Sequence, residues 1–260
     1  MEMGKFMGKI IAVANQKGGV AKTTTAINLS ASLALAEKRV LLLDLDPQGN
    51  ASSGVGIDCD TLKSSVYDLL IGRKTFSEIK IKTEVPHLDL LPAGIDLVGA
   101  EIELAGMQDR ETILKAGLED IRGTYDYIII DCPPSLGFLT LNALTATDTL
   151  LIPLQCEYYA LEGLKLLLRT MQLVQKSFNA ALKIEGIVLT MYDSRNNLNR
   201  QVSEEITSHF SDQVFKSVIP RNITLAEAPS YGKPVLLYNA VSRGAQAYIA
   251  LAKEVLAHDD

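Results

Sequence analysis

The chain reads as an α/β protein, one domain built on a mainly parallel, twisted sheet with helices on both faces. Three observations predict it. Short apolar runs alternate with segments of helical spacing to the end of the chain, the first run feeds a glycine turn and a helix, and two aliphatic runs end in aspartate. Strands alternating with helices require right-handed crossovers, which place helices on both faces of a parallel sheet. With 260 residues and 47% hydrophobic content, the chain is long enough for one large core.

Strands are predicted over Lys9–Asn15, Val40–Leu45, Leu88–Leu91, Tyr127–Ile130, Thr149–Ile152, Ile184–Leu189 and Val214–Ile219. An amphipathic helix is predicted from Thr23 onward, carrying Ala26, Ile27, Leu29, Leu33 and Leu35. Helical spacing also marks Ser30–Ala36, Ile113–Ile121, Leu139–Ala146, Leu161–Phe178, Val202–Phe210 and Ala245–Leu256. Asp58 to Ile81 is the least regular stretch and reads as a surface insertion. Residues 1–8, with three methionines, read as a flexible leader ahead of a domain over 9–260.

The most informative stretch is KIIAVANQKGGVAKTTTAINLSASLALA. A strand over Lys9–Asn15 runs into a tight turn at Lys17–Lys22 and then a helix. The first N–H groups of a helix lack intrahelical acceptors and sit at the positive end of its dipole, so phosphate oxygens fit there. Lys17, Gly18, Gly19, Val20, Ala21, Lys22, Thr23 and Thr24 form the candidate nucleotide loop. The glycines let the backbone wrap an anion, Lys22 reaches the terminal phosphates, and the Thr23 hydroxyl holds Mg²⁺. Strand, glycines, Lys-Thr and helix fall in register, which a glycine turn before an ordinary helix does not require.

Two more motifs stand at strand ends. LLLDLDPQGN places Asp44 and Asp46 at the exit of a Leu-rich run, and YIIIDCPPS places Asp131 at the exit of an Ile-rich one. Sheets of this kind bind ligands beyond the carboxyl ends of their strands, so these carboxylates meet the phosphate loop. Held waters, Thr23 and phosphate oxygens would complete a magnesium octahedron. An aspartate at a strand exit also caps turns, and Gln48 and Asn50 suit a polar turn as well as a partner or water.

Composition narrows the classes. No apolar run approaches the roughly 20 residues that span a bilayer. Cys59, Cys132 and Cys156 are widely spaced and unpaired, which argues against a disulfide frame or zinc site and suits the cytoplasm. His87, His209 and His258 lack catalytic company. A net charge of -6 rules out a uniformly basic nucleic-acid footprint, so any DNA site is a local patch. Arg195, Arg200, Lys233 and Arg243 lie in loop-like stretches, where spacing alone also suits solvated surface arginines and lysines.

KGGVAKTT closely resembles the deviant Walker A box of the ParA/MinD ATPases. MYDSRNNLNRQV, IPRNITLAEAPSYGKPV and SRGAQAY extend the likeness, over essentially the whole chain, to the chromosomal and small-plasmid ParA branch often called Soj. The resemblance implies ATP and Mg²⁺ as ligands, and a homodimer in which Lys17 reaches the partner's nucleotide. It implies that Asp131 is the Walker B acid, that Asp44 supports the metal, and that Asp46 positions the attacking water, making Lys17, Lys22 and Asp46 the catalytic set. It places the adenine pocket at Thr190–Met191 and at Pro220, Arg221 and Asn222, where a plain turn after a strand is equally consistent. It places Arg195 in a patch that binds double-stranded DNA without sequence preference, with Thr224 standing where relatives carry a second basic residue. It further implies stimulation by a ParB-type partner, cargo that is a chromosome origin region or plasmid, and a cytoplasmic, nucleoid-associated protein.

The family pattern has glycine directly before the second lysine, where this chain has Ala21. A Cβ there either crowds the phosphates or penalises a positive φ, at a cost on the order of 1 kcal/mol. Weakened or altered nucleotide turnover is the expectation. A MinD-like cell-division or cargo-positioning ATPase is the alternative, but AYIALAKEVLAHDD ends in two aspartates and lacks a basic membrane-binding face. Its apolar stripe of Ala245, Tyr248, Ile249, Ala252, Val255 and Leu256 is expected to pack on the sheet. Cysteines placed to bridge a cluster and a tyrosine-rich tail are missing, which disfavours an iron protein or a tyrosine kinase. A metabolic enzyme of the same loop type would respond to a small substrate. No helix-turn-helix precedes the loop, so operator-specific autorepression is not expected.

Overall fold

A computed structural model describes residues 7–259; most of the leader reading, residues 1–6, lies outside them. Seven strands form one sheet: β1 (Lys9–Val13), β2 (Val40–Asp44), β3 (Ile81–Lys82), β4 (Leu88–Leu91), β5 (Tyr127–Asp131), β6 (Thr149–Gln155) and β7 (Lys183–Thr190). Their order is β3-β4-β2-β5-β1-β6-β7, parallel throughout except for β3 against β4. Gly8 already belongs to the fold, because it is buried and its N–H donates to the Arg122 carbonyl at 3.1 Å.

The central strands are apolar without interruption because both faces are covered, and alternate residues feed two cores. Ile10, Ala12, Leu41, Leu43, Ile128 and Ile130 point to one face. There they pack against α3 (Val66–Leu70), α5 (Leu97–Ala105), α6 (Ile113–Glu119), α7 (Phe138–Ala146), α8 (Ala160–Ser177) and α9 (Asn197–Phe210); α1 (Lys22–Leu35) and α2 (Asn50–Gly54) precede these in the chain, and α4 (Phe76–Ile79) lies between α3 and α5. Ile11, Val13, Leu42, Ile129 and Leu151 point to the other face. That side is closed by α1, α10 (Ile223–Glu227), α11 (Val235–Asn239) and α12 (Arg243–Ala257).

Three expectations need correction, and one helix carries no clear sequence signal. The stretch 214–219 is not a strand: it touches β7 only through isolated bridges, with Phe215 N–H donating to Ile187 O at 2.9 Å and Ile219 N–H to Leu189 O at 2.8 Å. The intervening N–H groups of Lys216 and Ser217 turn to the Glu254 carboxylate of α12, at 2.8 and 2.7 Å, which breaks the ladder. The stretch from Asp58 to Ile81 is no surface insertion, because Val66, Leu70 and Ile79 sit in the core. Helix α1 is not amphipathic: it lies between the sheet and α12 and buries eleven residues, including Thr25, Asn28, Ser30 and Ser32. Helix α5 was missing from the sequence reading, since Leu97, Ala100 and Leu104 supply a narrow buried stripe beside exposed Ile95, Val98 and Ile102.

The stripe of α12 behaves as expected, with Ala245, Tyr248, Ala252 and Val255 buried and Ile249 and Leu256 packed at the edge. Tyr248 shares a hydrogen bond of 3.1 Å with the Thr25 hydroxyl of α1, which fixes the two helices in register. Among the described residues no helix is long and apolar enough to cross a membrane.

Candidate active site

The loop between β1 and α1 is built by its own side chains. Asn15 Oδ1 accepts the Lys17 N–H at 3.0 Å, and Asn15 Nδ2 donates to the Pro153 carbonyl of β6 at 2.8 Å, so the turn is tied to the sheet. Gly19 takes φ 73°, which only glycine adopts freely. Val20 is buried with its carbonyl held by the Thr190 hydroxyl at 3.0 Å; it anchors the loop from behind and forms no wall of the cleft. The loop ends at Ala21, the N-cap of α1, in the left-handed region at φ 67°. The expected penalty on a Cβ at this position is therefore present as backbone strain.

Helix α1 begins with no side-chain cap and no acidic residue in its first turn. Its first N–H groups open into a cleft of about 480 Å³ lined by Gly18, Gly19, Ala21, Lys22, Thr23, Thr24, Asp46, Asn50 and Pro134. An uncapped helix N-terminus facing a cavity fits an anion. Lys22 is buried there, its ammonium donating to the Lys17 carbonyl at 3.1 Å. Desolvation lowers its pKa, and the charges of Asp131, Cys132 and Asp46 oppose that shift.

Parallel register brings the carboxylates together. Asp44 on β2 and Val13 on β1 flank Asp131 on β5, so two fully buried aspartates stand side by side. Asp131 has no hydrogen-bond partner on either carboxylate oxygen. Burial raises its pKa well above the usual range, and repulsion from Asp44 adds to the shift against partial relief from the Lys22 charge. Asp44 is satisfied: Oδ2 accepts the Ser52 N–H and hydroxyl, both at 2.7 Å, and Oδ1 accepts the Asp46 N–H at 3.2 Å. Burial still pushes it to about 6. Asp46 faces the cleft, with Oδ1 taking the Gln48 N–H at 3.0 Å and its carbonyl the Gly49 N–H at 2.9 Å.

This donor set fits magnesium. Thr23 and Asp46 line the space for phosphate, Asp131 keeps a bare carboxylate buried outside that lining, and Asp44 holds the loop that carries Asp46. Among the described residues no three His, Cys, Asp or Glu side chains cluster to hold a metal by themselves, so the ion would need the phosphates as ligands.

Met191, Ile219, Pro220, Arg221, Asn222 and Leu225 line the far end of the same cleft, and Tyr248 forms part of its wall. Met191 adopts φ 48°, the Tyr192 N–H donates to Ile219 O at 3.1 Å, and Asn222 caps α10 through the Leu225 N–H at 3.2 Å. Of the predicted adenine residues, Met191, Pro220, Arg221 and Asn222 join the phosphate loop in one cavity, whereas Thr190 is buried behind it on the Val20 carbonyl. Lys17 does not line it: its ammonium is paired with Glu157. Sequence reasoning also missed Ser52, which bridges Asp44 to the Ala93 N–H at 3.1 Å, because a serine in a polar loop carries no pattern.

The candidate DNA residues all lie at the surface in loops or helix starts. Arg195 is 89% exposed and clasps Asp193 in a two-pronged pair, with its Nη2 2.8 Å from Oδ2. That pair holds the Asp193 carboxyl down at about 2. Arg200 donates to Asn197 at 2.6 Å, and Lys233 and Arg243 are exposed.

Two substitutions test the electrostatics and the strain. Folding raises the Asp131 pKa, so the native state binds a proton that the unfolded state releases, and stability falls as pH climbs from the ordinary carboxylate range. Asp131→Asn removes the buried charge. The nucleotide-free variant should gain about 1–3 kcal/mol by denaturant unfolding at pH 7.5, the gain should shrink toward pH 5, and magnesium-dependent nucleotide binding should be lost. Ala21→Gly removes a left-handed Cβ worth roughly 1–2 kcal/mol, and fluorescent-nucleotide titration should show tighter binding; equal affinity would mean the strain is absorbed elsewhere.

A family model described as an AAA domain matches residues 8–184. The sporulation initiation inhibitor protein Soj of Bacillus subtilis is 59% identical over 97% of this chain and 100% of its own length. The chromosome partitioning protein ParA of Myxococcus xanthus is 54% identical over 97% of this chain and 89% of its own length. A solved structure of cobyrinic acid a,c-diamide synthase from Mycobacterium smegmatis, with bound ADP and magnesium, is 42% identical, superimposes with a TM-score of 0.85, and covers 97% of this chain and 95% of that one. With its uncapped phosphate loop, paired strand-end aspartates and end-to-end likeness to these proteins, the chain belongs to the ParA/Soj family of chromosome-partitioning ATPases.

Proposed function

We propose that this chain is a nucleotide-driven dimerisation switch: with ATP it pairs face to face with a second copy, binds double-stranded DNA without sequence preference, and lets go after hydrolysis stimulated by a ParB-type partner. The observation that carries the reading is the division of the two loop lysines. Lys22 lines the cleft, whereas Lys17 stays outside its own cleft on a partly exposed ion pair with Glu157. Magnesium, when bound, would supply positive charge that offsets the phosphates, with Thr23 and Asp131 as the residues that would hold it.

Each side chain then has one task. The first N–H groups of α1 and Lys22 hold the phosphates, and Thr23 and Asp131 face the metal. Asp44 fixes the turn that presents Asp46, and Asp46 orients the attacking water. Positioning and charge neutralisation suffice for phosphoryl transfer, so no nucleophilic side chain is needed. Arg195, Arg200, Lys233 and Arg243, all exposed, are the candidate DNA contacts on a chain of net charge -6. Dimerisation doubles that surface and couples DNA affinity to ATP through effective concentration.

Sizing by light scattering with ATP, ADP and no nucleotide tests the switch. Asp46→Ala should bind ATP like the parent, fail to hydrolyse it and accumulate as dimer. A single species of monomer mass under every condition would end the proposal. On DNA, Arg195→Ala should flatten the slope of log affinity against log salt by about 0.9 per lost phosphate contact; an unchanged slope removes Arg195 from the interface. A small-molecule enzyme, as the name of the mycobacterial structure suggests, would instead raise its ATPase rate with a metabolite and ignore DNA.

A further inference from the structure

We propose that Glu157 is a positioning residue that holds Lys17 in cis and competes with its capture by a second copy of the chain; this rests on the dimer reading above. The Lys17 ammonium is ion-paired with the Glu157 carboxylate. The backbone on both sides of that pair is fixed. Lys17 N–H donates to Asn15 Oδ1 at 3.0 Å, and its carbonyl accepts the Lys22 ammonium at 3.1 Å. Asn15 in turn bonds Pro153 of β6, the strand that delivers Glu157 two residues past its end. The Glu157 N–H donates to the Gln155 carbonyl at 2.8 Å, and its own carbonyl accepts the Ala160 N–H at 2.9 Å, so Glu157 is pinned between β6 and α8.

The pair therefore joins two rigid loops that both emerge at the carboxyl edge of the sheet, and only the side chains remain free to rearrange. Both are partly exposed, at 36% for Lys17 and 46% for Glu157. A solvent-screened pair of this kind is weak and exchangeable. A triphosphate carries more charge and more acceptor oxygens than one carboxylate, so a partner's nucleotide outcompetes Glu157 once the faces meet. The exchange opposes pairing of nucleotide-free or unaligned subunits and leaves the ATP-bound dimer as the better host for Lys17. Because a symmetric dimer breaks two such pairs, the effect of removing one residue type is squared.

Sedimentation velocity across a concentration series, with saturating magnesium and the non-hydrolysable analogue AMPPNP, measures the competition. Glu157→Gln should lower the concentration at half dimer by about three- to tenfold, from the two weak pairs lost, with monomer nucleotide affinity unchanged. Glu157→Asp, which keeps the charge, should return toward the parent. In a Lys17→Ala background, Glu157→Gln should change nothing. A second readout needs no dimer: acetylation of nucleotide-free protein followed by mass spectrometry should show Lys17 reacting several-fold faster in Glu157→Gln, with Lys233 as the internal reference. An unchanged or higher half-dimer concentration, or an equal shift in the Lys17→Ala background, overturns the proposal. Faster acetylation of Lys17 in a chain that stays monomeric with the analogue confirms the cis pair, overturns its competition with a second copy, and takes the dimer reading with it.

Discussion

The structure turns on one unresolved electrostatic conflict, two carboxylates buried side by side at the ends of adjacent parallel strands. Asp44 and Asp131 occupy paired positions on β2 and β5, where no water reaches them. A core of this size would be more stable with apolar residues at both positions. Lys22 relieves the pair only in part, because it is itself desolvated and its ammonium is bonded to the Lys17 carbonyl. What resolves the conflict is a cation at the carboxylate and an anion at the helix start, both supplied by a magnesium nucleotide. Ligand binding in such a site stabilises the fold as well as filling the cleft.

The loops around the cleft inherit this arrangement. Asp44 spends both oxygens on Ser52 and on the Asp46 backbone, so a change of charge at Asp131 is felt by the turn that presents Asp46. Ser52 passes the same bond network to Ala93 at the end of β4. On the other side, Thr190 holds the Val20 carbonyl, linking the phosphate loop to the strand whose exit carries Met191. The phosphate-loop end of the cleft and the end lined by Met191 are thus connected through the sheet by side-chain to backbone bonds and not by packing alone.

What the sequence showed and what it hid follow from the range of the forces involved. The phosphate loop, the Walker B strand and the doubly covered sheet were legible because each is written in consecutive residues: KGGVAKTT, YIIID and VLLLD. Ala21 was legible for the same reason, since its conformation is dictated by the loop it closes. The edge at 214–219 was not, because Glu254 on a distant helix captures the N–H groups a strand would have used. The buried polar face of α1 was hidden as well. Its serines and asparagine look like a solvent face until α12 and α11 cover them, as when Asn28 accepts the Val235 N–H at 2.8 Å. Glu157 is one glutamate among many until the fold places it over Lys17.

The acidity of the chain is compatible with the proposed role on DNA. Arg195, the most solvent-exposed of the paired cations, is matched by its own neighbour, and the Asp193 carboxyl stays ionised at every physiological pH because the pair holds it at about 2. A phosphate must displace that aspartate or share the guanidinium with it, so Arg195 offers little free positive charge. Affinity built from a few such contacts is weak for a monomer and steeply dependent on how many are presented at once. In the proposed dimer a second subunit would supply that multiplication without any new residue, which would suit an acidic protein with sparse cations to a switch better than a strongly basic one. A basic surface would hold DNA in both states, and nucleotide would then have nothing to control.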